Sequence, residues 1–109
     1  MLKTKGHKIY QKRNWREFLD SEVNPRAEQF LESRGYDVLH QSVSNIQRAL
    51  NPKHKWPEMN LLVHPNSTSI MTIKKEEFPD FLDFSMDWFK ENEYYEDCAL
   101  IVNIRKKYY

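Results

Sequence analysis

Residues 59–64 and 69–74 flank four turn-forming residues, Pro65, Asn66, Ser67 and Thr68. Proline presets φ, and short polar side chains bond their own backbone, so such a cluster favours a tight reversal. The flanks are rich in aliphatic and β-branched residues, and the whole stretch predicts a β-hairpin. A hairpin is not stable by itself in water and needs further strands or helices against its apolar face. This requirement is the strongest constraint on the fold. Strand alternation then puts Ile70, Thr72 and Lys74 on one face of the second strand and Met71 and Ile73 on the other.

Helix signals lie on both sides of the hairpin. Asn14-Trp15-Arg16-Glu17 fits a capping box, in which Asn14 accepts from a first-turn amide and Glu17 reaches back to the cap amide. A short helix over residues 15–22 follows, with Trp15, Phe18 and Leu19 on one side. Asn24-Pro25 predicts a second helix start, and Gly35 stands where a left-handed terminator belongs. Ala27, Phe30 and Leu31 fall on its core face. Residues 36–43 read as a strand. Residues 44–50 fit either a helical turn or a continued strand, which Asn51-Pro52 ends. Phe78, Phe81, Leu82, Ser85, Trp88 and Phe89 recur at helical spacing and predict an amphipathic helix over residues 78–92. The uniformly apolar residues 98–104 read as a central strand.

The expected fold is therefore α+β, a single domain over residues 1–109 with a basic N-terminal arm at 1–13. Its element order is α-α-β-β-β-α-β, giving a mixed sheet of about four strands packed with two or three helices. A length of 109 residues suits one domain, and 14% aromatic residues can supply its core. No apolar run approaches the roughly 18 residues of a membrane span, and the N-terminus lacks the apolar centre of a signal peptide. With one cysteine, Cys98, no internal disulfide is possible. A soluble cytoplasmic protein is expected.

Charge is segregated despite a net +1. Residues 1–16 carry Lys3, Lys5, Lys8, Lys12, Arg13 and Arg16 and no acid, whereas nine acids against Lys90 alone occupy residues 76–97. Residues 105–107 are basic again. The four histidines, at 7, 40, 54 and 64, show no metal-ligand spacing, and one cysteine cannot build a zinc site. Gly6 and Gly35 are the only glycines, so there is no phosphate-binding loop. No metal and no nucleotide cofactor are expected.

These features favour a non-catalytic binding protein. The arm interleaves its cations with Tyr10 and Trp15, and Lys53, His54, Lys55 and Trp56 repeat the pairing in a loop. With Lys74 and Lys75 at the strand end, these residues predict DNA or RNA association, cations meeting phosphates and aromatics stacking on unpaired bases. The alternative is an interaction with a basic protein surface through Asp80, Asp83, Asp87 and Glu91, which share one face of a helix.

The order helix, three strands, helix, strand over residues 24–104 resembles the restriction-endonuclease-like (PD-(D/E)XK) fold. Residues 27–39 are similar to that family's first helix and first strand, 57–62 to its second strand and 71–74 to its third. The resemblance implies a divalent-metal nuclease with Glu28 as the helix acid, Glu58 as the first strand acid and Lys74 as the lysine. Thr72 stands at the position of the second strand acid, where the chemistry calls for a charged oxygen ligand.

Overall fold

The computed structural model describes residues 9–54, 56–64 and 66–109. The hairpin forms as its pattern dictates. Strand β2 (Glu58–Leu62) runs antiparallel to β3 (Ser69–Lys74), with Met59 opposite Ile73 and Leu61 opposite Met71. A third strand comes from the arm. Strand β1 (Gln11–Asn14) lies parallel to β3 on its other edge, giving the order β1-β3-β2. The Gln11 amide donates to the Thr68 carbonyl (2.9 Å) and the Trp15 amide to the Thr72 carbonyl (3.0 Å), which satisfies the central strand on both sides. Residues 1–8, the rest of the expected arm, lie outside the described residues.

The alternation along β3 separates two environments. Met71 and Ile73, with Met59 of β2, are buried in the core. The other face carries Lys12, Asn60, Leu62 and Lys74, all exposed. Thr72 on this face is 6% exposed, and its hydroxyl donates to Asn60 Oδ1 at 2.8 Å.

The capping box closes as expected: the Arg16 amide donates to Asn14 Oδ1 (3.0 Å) and the Asn14 amide to Glu17 Oε2 (3.1 Å). Helix α1 (Arg16–Leu19) is one turn long, and Trp15 and Leu19 beside it are buried. Asn24 accepts from the Arg26 amide at 3.0 Å and leads into helix α2 (Ala27–Leu50).

Helix α2 corrects two expectations. Gly35 does not end it, and residues 36–43 are helix rather than strand. Gly35, Val38, Leu39, Ser42, Val43, Ile46 and Ala49 are all buried. They recur at intervals of three and four, so one apolar stripe runs through the glycine and through residues 44–50. A glycine inside a helix costs about 1 kcal/mol relative to alanine, whereas each fully buried Leu or Ile contributes about 1.5–3 kcal/mol. Packing therefore outweighs propensity.

Residues 75–77 form a 3₁₀ turn into helix α3 (Phe78–Glu91). Its buried face is Phe78, Phe81, Leu82, Ser85 and Phe89, with Trp88 packed at the margin, as the spacing predicts. Helix α4 (Tyr95–Tyr108) corrects the expected terminal strand over residues 98–104. Asp97, Ile101 and Ile104 are its buried stripe, while Val102 is 40% exposed. A short apolar run cannot be assigned by periodicity alone. The acids in the first turn and the cations in the last complement the helix dipole. The expected sheet of about four strands is thus a mixed sheet of three among the described residues.

Helices α2 and α3 contact strands β2 and β3, and α4 packs against both helices. Arg105 near the end of α4 donates to the Pro79 carbonyl at the start of α3 (3.0 Å), so these helices are antiparallel. The His40 ring nitrogen Nδ1 lies 2.5 Å from Asp97 Oδ1 and ties the first turn of α4 to the middle of α2.

Candidate functional site

The end of the molecule where β3 and α4 terminate collects cations from three parts of the chain. The Lys75 amide donates to the Pro57 carbonyl (2.9 Å), which holds the loop after α2 against the end of β3. That loop turns through Asn51, whose Oδ1 accepts from the Lys53 amide at 2.9 Å. It presents Lys53 and Trp56, and the indole, 44% exposed, stacks on His54 with ring centroids 4.9 Å apart. Lys75 also shares a shallow depression with Leu50, Glu76, Pro79, Tyr108 and Tyr109, so the last turn of α4 lies beside it. Lys53, Lys74, Lys75, Lys106 and Lys107 are exposed and make no ion pair among the described residues. Lys55 lies outside those residues.

The remaining expected cations are Lys3, Lys5, Lys8, Lys12, Arg13 and Arg16. Lys3, Lys5 and Lys8 fall outside the described residues. Lys12 reaches across β3 to Glu58 Oε2 at 2.8 Å. That hydrogen bond, aided by one from Asn60 and by the charge of Lys74, holds the Glu58 carboxyl below the usual carboxylate range. Arg16 lies 3.7 Å from Asp20 and 3.6 Å from Asp80, with its guanidinium 4.4 Å above the Trp15 ring. Arg13 is exposed on the edge strand. Lys12 and Arg16 are therefore paired with carboxylates at the positions where the sequence alone places a phosphate-binding arm. Lys106 and Lys107 join the cationic end because α4 is a helix. Their basic run is visible in the sequence, but its placement depends on a helix where a strand is expected.

Of the residues carried over from the nuclease resemblance, Glu58 and Lys74 are direct cross-strand partners. Glu28 lies on α2, in a cleft on another part of the surface. Among the described residues no group of three or more His, Cys, Asp or Glu side chains is placed to hold a metal ion.

The acidic face of α3 is divided as well. Asp80 pairs with Arg16 and Asp83 with Arg105, whereas Asp87 and Glu91 face a cleft of about 820 Å³ between α1, α2 and α3. Its aromatic lining includes Trp15, Tyr36, Phe84, Trp88 and Tyr94. Burial, and after it the negative charge of Asp97, raises the Tyr36 phenol pKa. The cleft depends on contacts between α2 and α3 that no local sequence signal carries.

No protein-family model matches this chain, and neither a curated protein nor a solved structure is significantly similar to it.

Proposed function

We propose that this protein binds single-stranded nucleic acid through the end formed by the 51–57 loop, the end of β3 and the last turn of α4. The observation that carries this reading is the hydrogen bond from the Lys75 amide to the Pro57 carbonyl, which joins two separate basic segments of the sequence into one surface. Lys53, Lys74 and Lys75, with Lys106 and Lys107 nearby in the chain of α4, supply phosphate contacts. Trp56 and Tyr109, 44% and 58% exposed, supply aromatic faces on which unpaired bases stack. Bases inside a duplex do not offer those faces, so a single strand is the better ligand. Of the acids that follow Lys75 in the chain, Glu76 borders this end, Asp80 and Asp83 are paired with Arg16 and Arg105, and Asp87 and Glu91 lie toward the far end of α3.

The test is anisotropy of a labelled single-stranded oligonucleotide across a salt series. The triple substitution Lys53→Ala, Lys74→Ala, Lys75→Ala should lower the magnitude of the log–log salt slope by about 2, at roughly 0.7 per phosphate contact. Trp56→Ala should weaken binding by about 1–3 kcal/mol and leave the slope unchanged. Absence of binding at low salt refutes the proposal. Plasmid cleavage in magnesium or manganese that Glu58→Ala abolishes would instead assign nuclease chemistry to the Glu58–Lys74 pair.

A further inference from the structure

The cleft between α1, α2 and α3 is independent of the cationic end and has the opposite character. We infer that it is a docking site for a basic peptide segment of a partner protein, whose Lys or Arg side chains meet its acids and aromatic rings while its backbone carbonyls accept from its walls.

Charge supplies the first argument. Asp20, Glu28, Glu32, Asp37, Asp87 and Glu91 line the cleft, against Arg16 and Arg34. Only Asp20 of these acids is in an ion pair among the described residues. Glu28 and Glu32 stand four apart on α2, and Asp87 and Glu91 four apart on α3. Like charges at this spacing repel along a helix, and here two such pairs line one cavity. A bound cation relieves this repulsion.

The rings supply the second. Trp88 and Tyr94 stack with centroids 5.7 Å apart and planes within 10°, and Tyr94 lies 4.4 Å from Tyr36. Aromatic faces beside carboxylates attract guanidinium and ammonium groups. The wall already holds one such group of its own, the Arg16 guanidinium over Trp15.

The third argument separates a peptide from a simple cation. Trp15 is 1% exposed and lines the cleft, and its indole Nε1–H has no acceptor. Arg34, also in the lining, has its buried Nε–H equally without one. Buried donors are nearly always paired. Four buried side-chain groups lack a partner among the described residues, the others being the Ser42 and Ser85 hydroxyls. These two belong to the cleft wall, where a ligand that shifts the wall as it docks can bring them acceptor oxygens. A metal ion or small amine would satisfy the carboxylates and leave these donors bare. A phosphate would satisfy the donors and meet the acids. A peptide brings carbonyl oxygens and cationic side chains together. The volume, about 820 Å³, lies within the range of roughly 300–1,000 Å³ common to ligand pockets.

The test uses the full chain carrying Trp56→Phe, which leaves Trp15 and Trp88 as the only indoles. An acetylated, amidated hexapeptide alternating Arg and Gly is titrated while the indole N–H signals are followed by NMR. A saturable shift of both indole signals is expected, with the Trp15 proton moving downfield as it gains an acceptor. The pair Asp87→Asn and Glu91→Gln should weaken binding about tenfold, equivalent to about 1.4 kcal/mol. Both positions are exposed, so the folded state is retained. Lys74→Ala should leave the affinity unchanged. The inference is overturned by no saturable indole shift, by equal binding of a Gln/Gly hexapeptide, or by unchanged affinity in the Asp87→Asn, Glu91→Gln protein. Tetramethylammonium competing as well as the peptide would also overturn it, in favour of a small-cation site.

Discussion

Trp88 packs so closely on Gly35 that a β-carbon there would stand 2.6 Å from Trp88 Cζ2. The glycine is kept by this contact between α2 and α3. No turn or positive φ is involved, because it lies inside a regular helix. Gly35→Ala should gain about 1 kcal/mol of helix propensity and lose about 1–3 kcal/mol to overpacking. The expected net result is a lower urea midpoint. In a Trp88→Leu background the same substitution should raise the midpoint, and a drop of equal size in both backgrounds would show that Trp88 is not the cause.

Glu93 is the described residue other than glycine with a positive φ, at 62°. It ends α3 in a Schellman motif. The Tyr94 amide bonds the Phe89 carbonyl at 2.8 Å, and the Glu93 amide bonds the Lys90 carbonyl at 3.2 Å. Tyr94 and Phe89 supply the accompanying apolar contact, with rings 6.2 Å apart. Glycine adopts this left-handed position without steric cost. Glu93→Gly should therefore stabilise the protein by about 0.5–1 kcal/mol in chemical denaturation, and a loss of stability would mean that the Glu93 side chain makes a contact worth more than the strain.

The Lys12–Glu58 bond makes stability depend on pH in the acid range. The native Glu58 carboxyl is held below its unfolded value, so the folded state favours the ionised form. Its contribution is present above the unfolded carboxylate pKa and is lost as pH falls through the lower native value. Lys12 is 60% exposed and Glu58 25%, so solvent screening limits the pair to about 0.2–1 kcal/mol. Lys12→Met should cost that amount at pH 7, and the cost should shrink as pH falls through the native Glu58 titration. A penalty that persists in acid would point to lost packing of the lysine stem.

Features governed by neighbours within about four residues were legible before the fold was known. The β2–β3 hairpin and the alternation of Met71 and Ile73 require only the strand period. The buried face of α3 and the Asn14–Glu17 box require only the helical one. The same logic failed at Gly35, where a local stop signal was overruled by a ring from a distant helix. It failed again at residues 98–104, where Ile101 and Ile104 face inward while Val102 does not.

The functional surfaces divide along the same line. The residue types and charge blocks of the basic and acidic segments are properties of the chain alone, and so is the scarcity of glycine that denies it a phosphate loop. Which cations stay free is a tertiary outcome. Lys12 is taken up by Glu58 and Arg16 by Asp20 and Asp80, while one backbone hydrogen bond from Lys75 to Pro57 holds the 51–57 loop to the end of β3. The cleft that gathers Trp15, Arg34, Asp87 and Glu91 exists only once α2 and α3 pack. Ion pairing and ring packing act over a few ångströms in space, and the sequence sets no such distance until the chain has closed on itself.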